Sequence, residues 1–240
     1  LAGGRDVGDL SGDVPYSRSL GPPESTEPFS IHNATEMAYP AGIALDENRD
    51  LLYVSNRDAV TAQDFEGRRI VAFANASTIG ATPDDLARDV DAGNVAPAWK
   101  IEGDLPSPRN RSITDPRTLW RPSALFVDPD LDRLFVANRQ GASILVFDGI
   151  SRKVQEASIN YNLAPTWAIT HAALRNPAGL ALNLVFNELY VADALNSTIL
   201  AFAVGSLDPL VPLPALTPRV IGGANTGLVV PIGIALDPEK

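Results

Sequence analysis

One arginine-rich segment lies in a chain that is acidic as a whole. The stretch "EGDLPSPRNRSITDPRTLWRP" contains Arg109, Arg111, Trp120 and Arg121, although the formal net charge of the protein is -10. Arginine forks bind carboxylate, sulfate and phosphate groups, and a neighbouring indole can stack on a sugar or a peptide. We therefore expect this segment to be the principal recognition surface. The alternative is a solvated loop whose arginines pair with nearby acids.

Three further arginines join this candidate binding set. Arg68 ends another connecting segment, and Arg57 and Arg139 each follow an asparagine at the end of a predicted strand. The candidate binding residues are Arg57, Arg68, Arg109, Arg111, Trp120, Arg121 and Arg139.

A sequence repeat predicts the elements that position these residues. The stretch "RPSALFVDPDLDRLFVANRQGASILVF" is matched by "NPAGLALNLVFNELYVADALNSTILAF", and in part by "YPAGIALDENRDLLYVSN" and "VPIGIALDPEK". The copies open with Pro40, Pro122, Pro177 and Pro231, spaced 82, 55 and 54 residues apart. A period in this range indicates a repeat architecture.

Each complete copy contains four runs typical of strands. Runs such as "ALFVD", "RLFVAN" and "SILVFDG" are apolar and rich in β-branched or aromatic residues. The fourth run, such as "APTWAIT", is more polar and opens with proline, which suits an outer strand. We therefore predict an all-β fold, a β-propeller of four-stranded antiparallel blades. Three blades are complete and partial blades flank them, in a small four-bladed ring or in a larger one with six blades; an unrelated β-sandwich is the alternative.

These runs also predict boundaries. Residues 1–27 form an N-terminal segment and residues 28–240 the propeller, with blades at about 40–103, 122–171 and 177–223 and an inner strand of the next blade at 231–238. The innermost strands are expected at 43–45, 125–127, 180–182 and 234–236. Trp99 and Trp167 are expected at equivalent positions of two fourth strands.

The segments "AGNVAPAWKIEG" and "IGGANTGLVVPIGIALD" resemble the linkers of NHL-repeat β-propellers of the bacterial surface type. The resemblance covers residue 28 to the C-terminus, and its motifs specify fold far better than activity. It implies an extracellular, cell-surface or periplasmic location.

The copies differ mainly in the first complete blade, which is 28 residues longer than the third. Most of the additional length falls after its second strand and after its fourth strand. In an up-and-down blade these two connections leave on the same face. Because loops on a rigid scaffold commonly carry function, we expect recognition on that face.

The blades also resemble the architecture of the gluconolactonase-like propellers, in which Asn and Asp near the central channel hold a divalent cation. This resemblance implies Asn56, Asn138 and Asp193 as candidate metal ligands. That family also uses a glutamate from an inner strand, and no predicted inner strand here contains one. The alternative is that the three side chains cap tight turns. We expect no tightly bound transition metal.

The sequence predicts no cofactor, and calcium is considered only because of one acidic turn. Asp128, Asp130 and Asp132 alternate in "DPDLD", a spacing found in calcium loops. The corresponding stretches "DENRD" and "NLVFN" lack this array, which favours a plain strand-connecting turn.

Composition excludes several classes of function. The chain has no cysteine, which excludes disulfides, zinc–thiolate sites and a thiol nucleophile. Its acidity argues against a nucleic-acid partner. The sequence has no run of 18 apolar residues, which argues against membrane insertion.

The sequence therefore favours a non-enzymatic propeller that acts as a binding or assembly scaffold, with recognition by loops on one face. Its partner would be a protein or a glycan, copies of itself included. One alternative is a metal-dependent lactonase-like or lyase-like propeller enzyme. Another is a structural subunit of a surface filament or layer, completed by strand addition from a neighbour.

Overall fold

A computed structural model of the chain describes residues 37, 39–57, 68–79, 95–103, 119–155, 160–161, 163–205, 207 and 216–237. Nearly all of them belong to one compact unit, Glu36–Ser77 with Pro97–Lys240, and the other unit lies almost wholly outside the described residues. Apart from one short helix, α1 (Ile150–Gln155), and a 3-10 turn (Ala224–Thr226), the regular structure in these ranges is β-strand. The all-β class expected from the sequence is confirmed.

The strands form three sheets, each containing four antiparallel strands. The first contains β1 (Pro40–Asp46), β2 (Leu51–Asn56), β3 (Arg69–Ala74) and β4 (Trp99–Glu102). The second contains β5 (Pro122–Asp128), β6 (Arg133–Asn138), β7 (Ser143–Asp148) and β9 (Trp167–Ile169). The third contains β10 (Pro177–Asn183), β11 (Glu188–Asp193), β12 (Thr198–Ala203) and β13 (Arg219–Ile221). A two-residue strand, β8 (Asn160–Tyr161), pairs in parallel with β4.

The three sheets are repeats of one another in hydrogen-bonding register. Pro40 pairs with Asn56 and Pro177 with Asp193, each followed by a register shift within the inner strand. Trp99 pairs with the fourth residue of β3, and Trp167 pairs with the fourth residue of β7. The predicted equivalence of the two tryptophans is therefore confirmed.

The first strand of each sheet is the innermost. Strand β5 packs against β1 on one side and against β10 on the other, so the predicted inner runs 43–45, 125–127 and 180–182 lie as expected. The fourth inner strand expected at 234–236 stays a prediction. Residues 231–237 lie beside β10, where Gly233 approaches Gly179, but they form no strand. A strand needs a ladder partner, and no described strand pairs with this segment.

The core fills the two spaces between adjacent sheets. In β6, Leu134 and Val136 join the cluster shared with the first sheet, whereas Phe135 and Ala137 join the cluster shared with the third. Successive side chains of a strand point to opposite faces, so the middle sheet must be apolar on both. This explains why its strands read as continuous apolar runs.

Candidate functional site

The candidate site is built on the buried polar residues that end the second strand of each blade. Asn56, Asn138 and Asp193 are each 0% exposed. The Asn138 side chain accepts the backbone N–H of Trp120 at 2.6 Å and donates to the Ser143 hydroxyl at 3.0 Å. It therefore fixes the segment that leads into β5, the inner strand of the same blade.

Asp193 plays the same part in the third blade. Its Oδ2 accepts the backbone N–H groups of Arg175 and Asn176 at 2.6 and 2.8 Å, and its Oδ1 accepts that of Asn196 at 2.9 Å. Buried polar groups are normally paired in this way. In Asn138 and Asp193 these contacts match the turn-capping alternative, because their acceptor oxygens already bind N–H donors within the protein.

These caps place several side chains on one face of the propeller unit. Arg57 directly follows Asn56, and Arg139 directly follows Asn138. Arg121 and Asn176 directly precede the prolines that open β5 and β10. The backbone is held on both sides of the caps: Arg57 N–H donates to the Tyr39 carbonyl at 3.3 Å, and Asn176 accepts from Ala194 at 3.0 Å.

The side chains meet at an open cleft of about 420 Å³. It is lined by Arg57, Arg121, Arg139, Gln140 and Asn176. Arg139 donates from Nε to Oδ1 of Asn176 at 2.8 Å, so a residue of the second blade is held by the segment that opens the third. The lining consists of three guanidinium groups and two amides. Such a cleft can bind and orient an anion.

A second pair of candidate residues lies next to this cleft. The guanidinium carbon of Arg68 is 5.6 Å from the centre of the Trp120 ring, which is a cation–π contact. Burial, and secondly the positive charge of Arg121, lower the pKa of Arg68 below its usual value. Arg68 and Trp120 are the ends of the two long connections of the first blade, so those ends lie side by side.

The structure thus brings Arg57, Arg121 and Arg139 into one cleft and places Arg68 and Trp120 beside it. Arg109 and Arg111 lie outside the described residues. Sequence reasoning missed Gln140 and Asn176. The repeat alignment contained a signal for Asn176, since it occupies the position of Arg121 in the next copy.

The aspartates considered for calcium lie in turns on the opposite face. Asp128 accepts the backbone N–H groups of Asp130 and Leu131, each at 3.1 Å. Asp132 accepts from the Ser151 backbone and hydroxyl at 3.1 and 2.8 Å, and it lies 3.6 Å from Nε of Arg49. In the described ranges, no group of three or more His, Cys, Asp or Glu side chains could hold a metal ion.

Comparison with known proteins identifies the fold. No protein-family model and no curated protein sequence matches the chain. One solved structure that does match is the Kuenenia stuttgartiensis hydrazine synthase, at 16% identity and a TM-score of 0.50, over 88% of this chain. The chain spans 42% of that protein's chain. It is one of 247 matching chains. The structural match establishes the β-propeller-like fold, and at an identity this low it establishes no activity.

Within the ranges that the structure describes, no helix has the length and apolar composition needed to cross a bilayer.

Proposed function

We propose that this chain is a non-enzymatic NHL-type β-propeller that binds an anionic partner through the face bearing the arginine-lined cleft. The observation that carries this proposal is the convergence of Arg57, Arg121 and Arg139 on one open cleft in a chain with a net charge of -10. The resemblance to bacterial surface propellers supports a location at the cell surface, in the periplasm or outside the cell.

The repeats supply the rigid support that such a site needs. Asn138 and Asp193 hold the segments that precede the inner strands β5 and β10, and these caps are fully buried. A ligand-binding group held by the scaffold loses less conformational entropy on binding. The arginines therefore differ from flexible surface charges, which contribute little to affinity.

The chemistry of the cleft favours binding over catalysis. Its lining residues are arginines and amides, and neither type exchanges protons readily near neutral pH. Such a set can hold and orient an anion, but it provides no general base or nucleophile. A lactonase-like reaction would need residues other than those that line the cleft.

Assembly by strand addition is a second candidate, favoured by one observation. Strand β8 extends the outer edge of the first blade in parallel, with Ile101 opposite Asn160 and Glu102 opposite Tyr161. This pairing supports strand addition at an outer edge. A mass that rises with protein concentration, measured by light scattering, would support assembly. A constant monomer mass over the working range would contradict it.

The binding proposal can be tested with immobilised polymers: polyglutamate and pectin as acidic surfaces, dextran as a neutral one and polylysine as a basic one. We expect the protein to bind the acidic polymers, and the double variant Arg57→Ala/Arg121→Ala to bind them at least about tenfold more weakly. Arg152→Ala, which removes an exposed arginine at the helix α1, is the matched control and should bind like the wild type.

Melting temperatures of all variants would establish that they are folded. Equal binding by the double variant and the wild type would contradict recognition through this face. Equal binding to dextran and to the acidic polymers would contradict an anionic partner.

A further inference from the structure

We propose that the arginine-lined cleft is a subsite for an acidic sugar, a uronic acid residue of a glycan, an inference that rests on the binding function proposed above. The guanidinium groups would pair with the sugar's carboxylate, and the amides of the lining would bond its hydroxyls. Four features of the cleft support this assignment.

The first feature is the fixed orientation of Arg139. Its Nε–H is used by Oδ1 of Asn176 at 2.8 Å, which leaves the terminal N–H groups of the fork directed elsewhere. Asn176 is itself fixed, since its backbone N–H donates to Asp193 at 2.8 Å and its carbonyl accepts from Ala194 at 3.0 Å. A chain of contacts that begins at a fully buried carboxylate thus sets the position of the guanidinium.

The second feature is charge. Three guanidinium groups line the cleft, and the lining residues that the structure describes include no acid. Arg68 adds a further positive charge close to Arg121. A bound carboxylate would be attracted to this set of positive charges.

The third feature is the amide content of the lining. Gln140 is exposed at the cleft, and the amide group of a glutamine both donates and accepts hydrogen bonds. Sugar hydroxyls also donate and accept. A lining of amides beside arginines therefore matches a carboxylated sugar better than it matches a simple inorganic ion.

The fourth feature separates a sugar from a protein partner. The five described lining residues are polar, whereas the centres of protein interfaces are anchored by aromatic and other apolar side chains. The nearby Trp120 ring already carries Arg68 over it. The volume of about 420 Å³ lies within the range of about 300–1,000 Å³ that small-molecule sites occupy.

The experiment is a calorimetric titration of the full chain with three probes of similar length. These are a trimer of galacturonic acid, a neutral trimer of galactose with the same linkage, and a triglutamate peptide. We expect the galacturonate trimer to bind at least about tenfold more tightly than either of the others, because only it presents both a carboxylate and ring hydroxyls.

Two variants and a control locate the binding. Arg139→Ala removes the fork, and Asn176→Asp places a carboxylate of nearly the same size in the cleft, where it would pair with Arg139. Each should weaken galacturonate binding by about tenfold. Arg175→Ala removes an exposed arginine that neighbours the cleft residue Asn176 but does not line the cleft, and it should change the affinity less than about twofold.

Three outcomes would overturn the inference: no binding of the galacturonate trimer, equal binding by Asn176→Asp and wild type, or tighter binding of the triglutamate peptide. None of them touches the polymer result for Arg57→Ala/Arg121→Ala, so a wrong ligand class can be told apart from a wrong function. Melting temperatures close to wild type for Asn176→Asp would assign its effect to charge rather than to unfolding.

Discussion

At the scale of single residues, the most consequential side chains are the buried caps that end the second strands. Asp193 accepts three backbone N–H groups from two segments that are separate in the sequence, one before β10 and one after β11. It thereby connects the scaffold to the cleft, because one of those N–H groups belongs to Asn176. Stability and ligand binding should therefore both depend on this residue.

We predict that Asp193→Ala lowers the free energy of unfolding by about 3 kcal/mol, since it leaves buried N–H groups without an acceptor. Asp193→Asn keeps one acceptor oxygen, as Asn138 does in the second blade, and should cost about 1 kcal/mol. Chemical denaturation followed by circular dichroism would measure both. Equal losses for the two variants would contradict the role of the acceptor oxygens.

At the scale of elements, the inner strands approach one another so closely that a side chain would not fit. A Cβ atom on Gly42 in β1 would lie 2.1 Å from the backbone carbonyl oxygen of Ser123 in β5. The equivalent glycine of the last repeat segment, Gly233, has nothing within 4 Å of the same position. The two glycines thus occupy equivalent repeat positions, but only Gly42 has a backbone atom where its Cβ would lie.

Gly42→Ala should destabilise the protein by about 2 kcal/mol or more, because a backbone atom cannot move aside cheaply. Gly233→Ala should change the stability by no more than about 0.5 kcal/mol. Thermal unfolding of the two variants side by side tests this. A neutral Gly42→Ala would mean that β1 and β5 lie farther apart than described.

A charged side chain joins the first two blades on the face opposite to the cleft. Arg49, in the turn after β1, donates to the Pro129 carbonyl at 2.7 Å and to the buried Asp46 at 3.0 Å. It also lies 3.6 Å from Asp132. The turn of one blade is thereby tied to the turn of the next.

Arg49→Met keeps the length of the side chain but leaves Asp46, which is fully buried, without its cation. Because Arg49 is 31% exposed, solvent weakens the pair, and we expect a loss of about 1–2 kcal/mol. Arg152→Met, an exposed change on the same face, should stay within about 0.5 kcal/mol. Equal melting temperatures for the two variants would show that the bridge does not contribute.

At the scale of the whole unit, charge is divided between the two ends of the strands. The described arginines at the cleft end are Arg57, Arg68, Arg69, Arg121, Arg139 and Arg175, and they outnumber the acids Glu102 and Asp193 at that end. The other end holds Asp46, Glu47, Asp50, Asp128, Asp130 and Asp132, which outnumber the arginines Arg49, Arg133 and Arg152 at that end. Because the strands alternate in direction, the repeat keeps these two sets of residues apart. An anionic ligand would therefore be drawn to the cleft end.

We predict that the association rate with pectin falls by about tenfold or more between 0.1 and 1 M salt, while the dissociation rate changes much less. Over this range the screening length shortens from about 10 to about 3 Å. Salt therefore weakens the long-range attraction that speeds association more than it weakens the short-range contacts that slow dissociation. Interferometry at several salt concentrations would measure both rates. An association rate that does not depend on salt would contradict electrostatic attraction to this end.

Much of the fold could be predicted from the sequence because its signals are local. Apolar runs, the prolines that open them and the Asn or Asp that end the second strands specify strands and turns within a few residues of themselves. The repeat then places Trp99 and Trp167 in the same register. The strand expected at 234–236 stays a prediction, because the local pattern there is that of a strand but a strand also requires a neighbour to pair with.

The blades, three of their inner strands and a set of candidate arginines could be predicted from the sequence. Which of these arginines share a site follows from the tertiary structure alone. Arg57, Arg121, Arg139 and Asn176 come from three blades, and their convergence depends on the angle between adjacent sheets, which is set by long-range packing of the two core clusters. That angle leaves no periodic trace in the sequence, so the role of Asn176 in holding Arg139 could be recognised only in three dimensions.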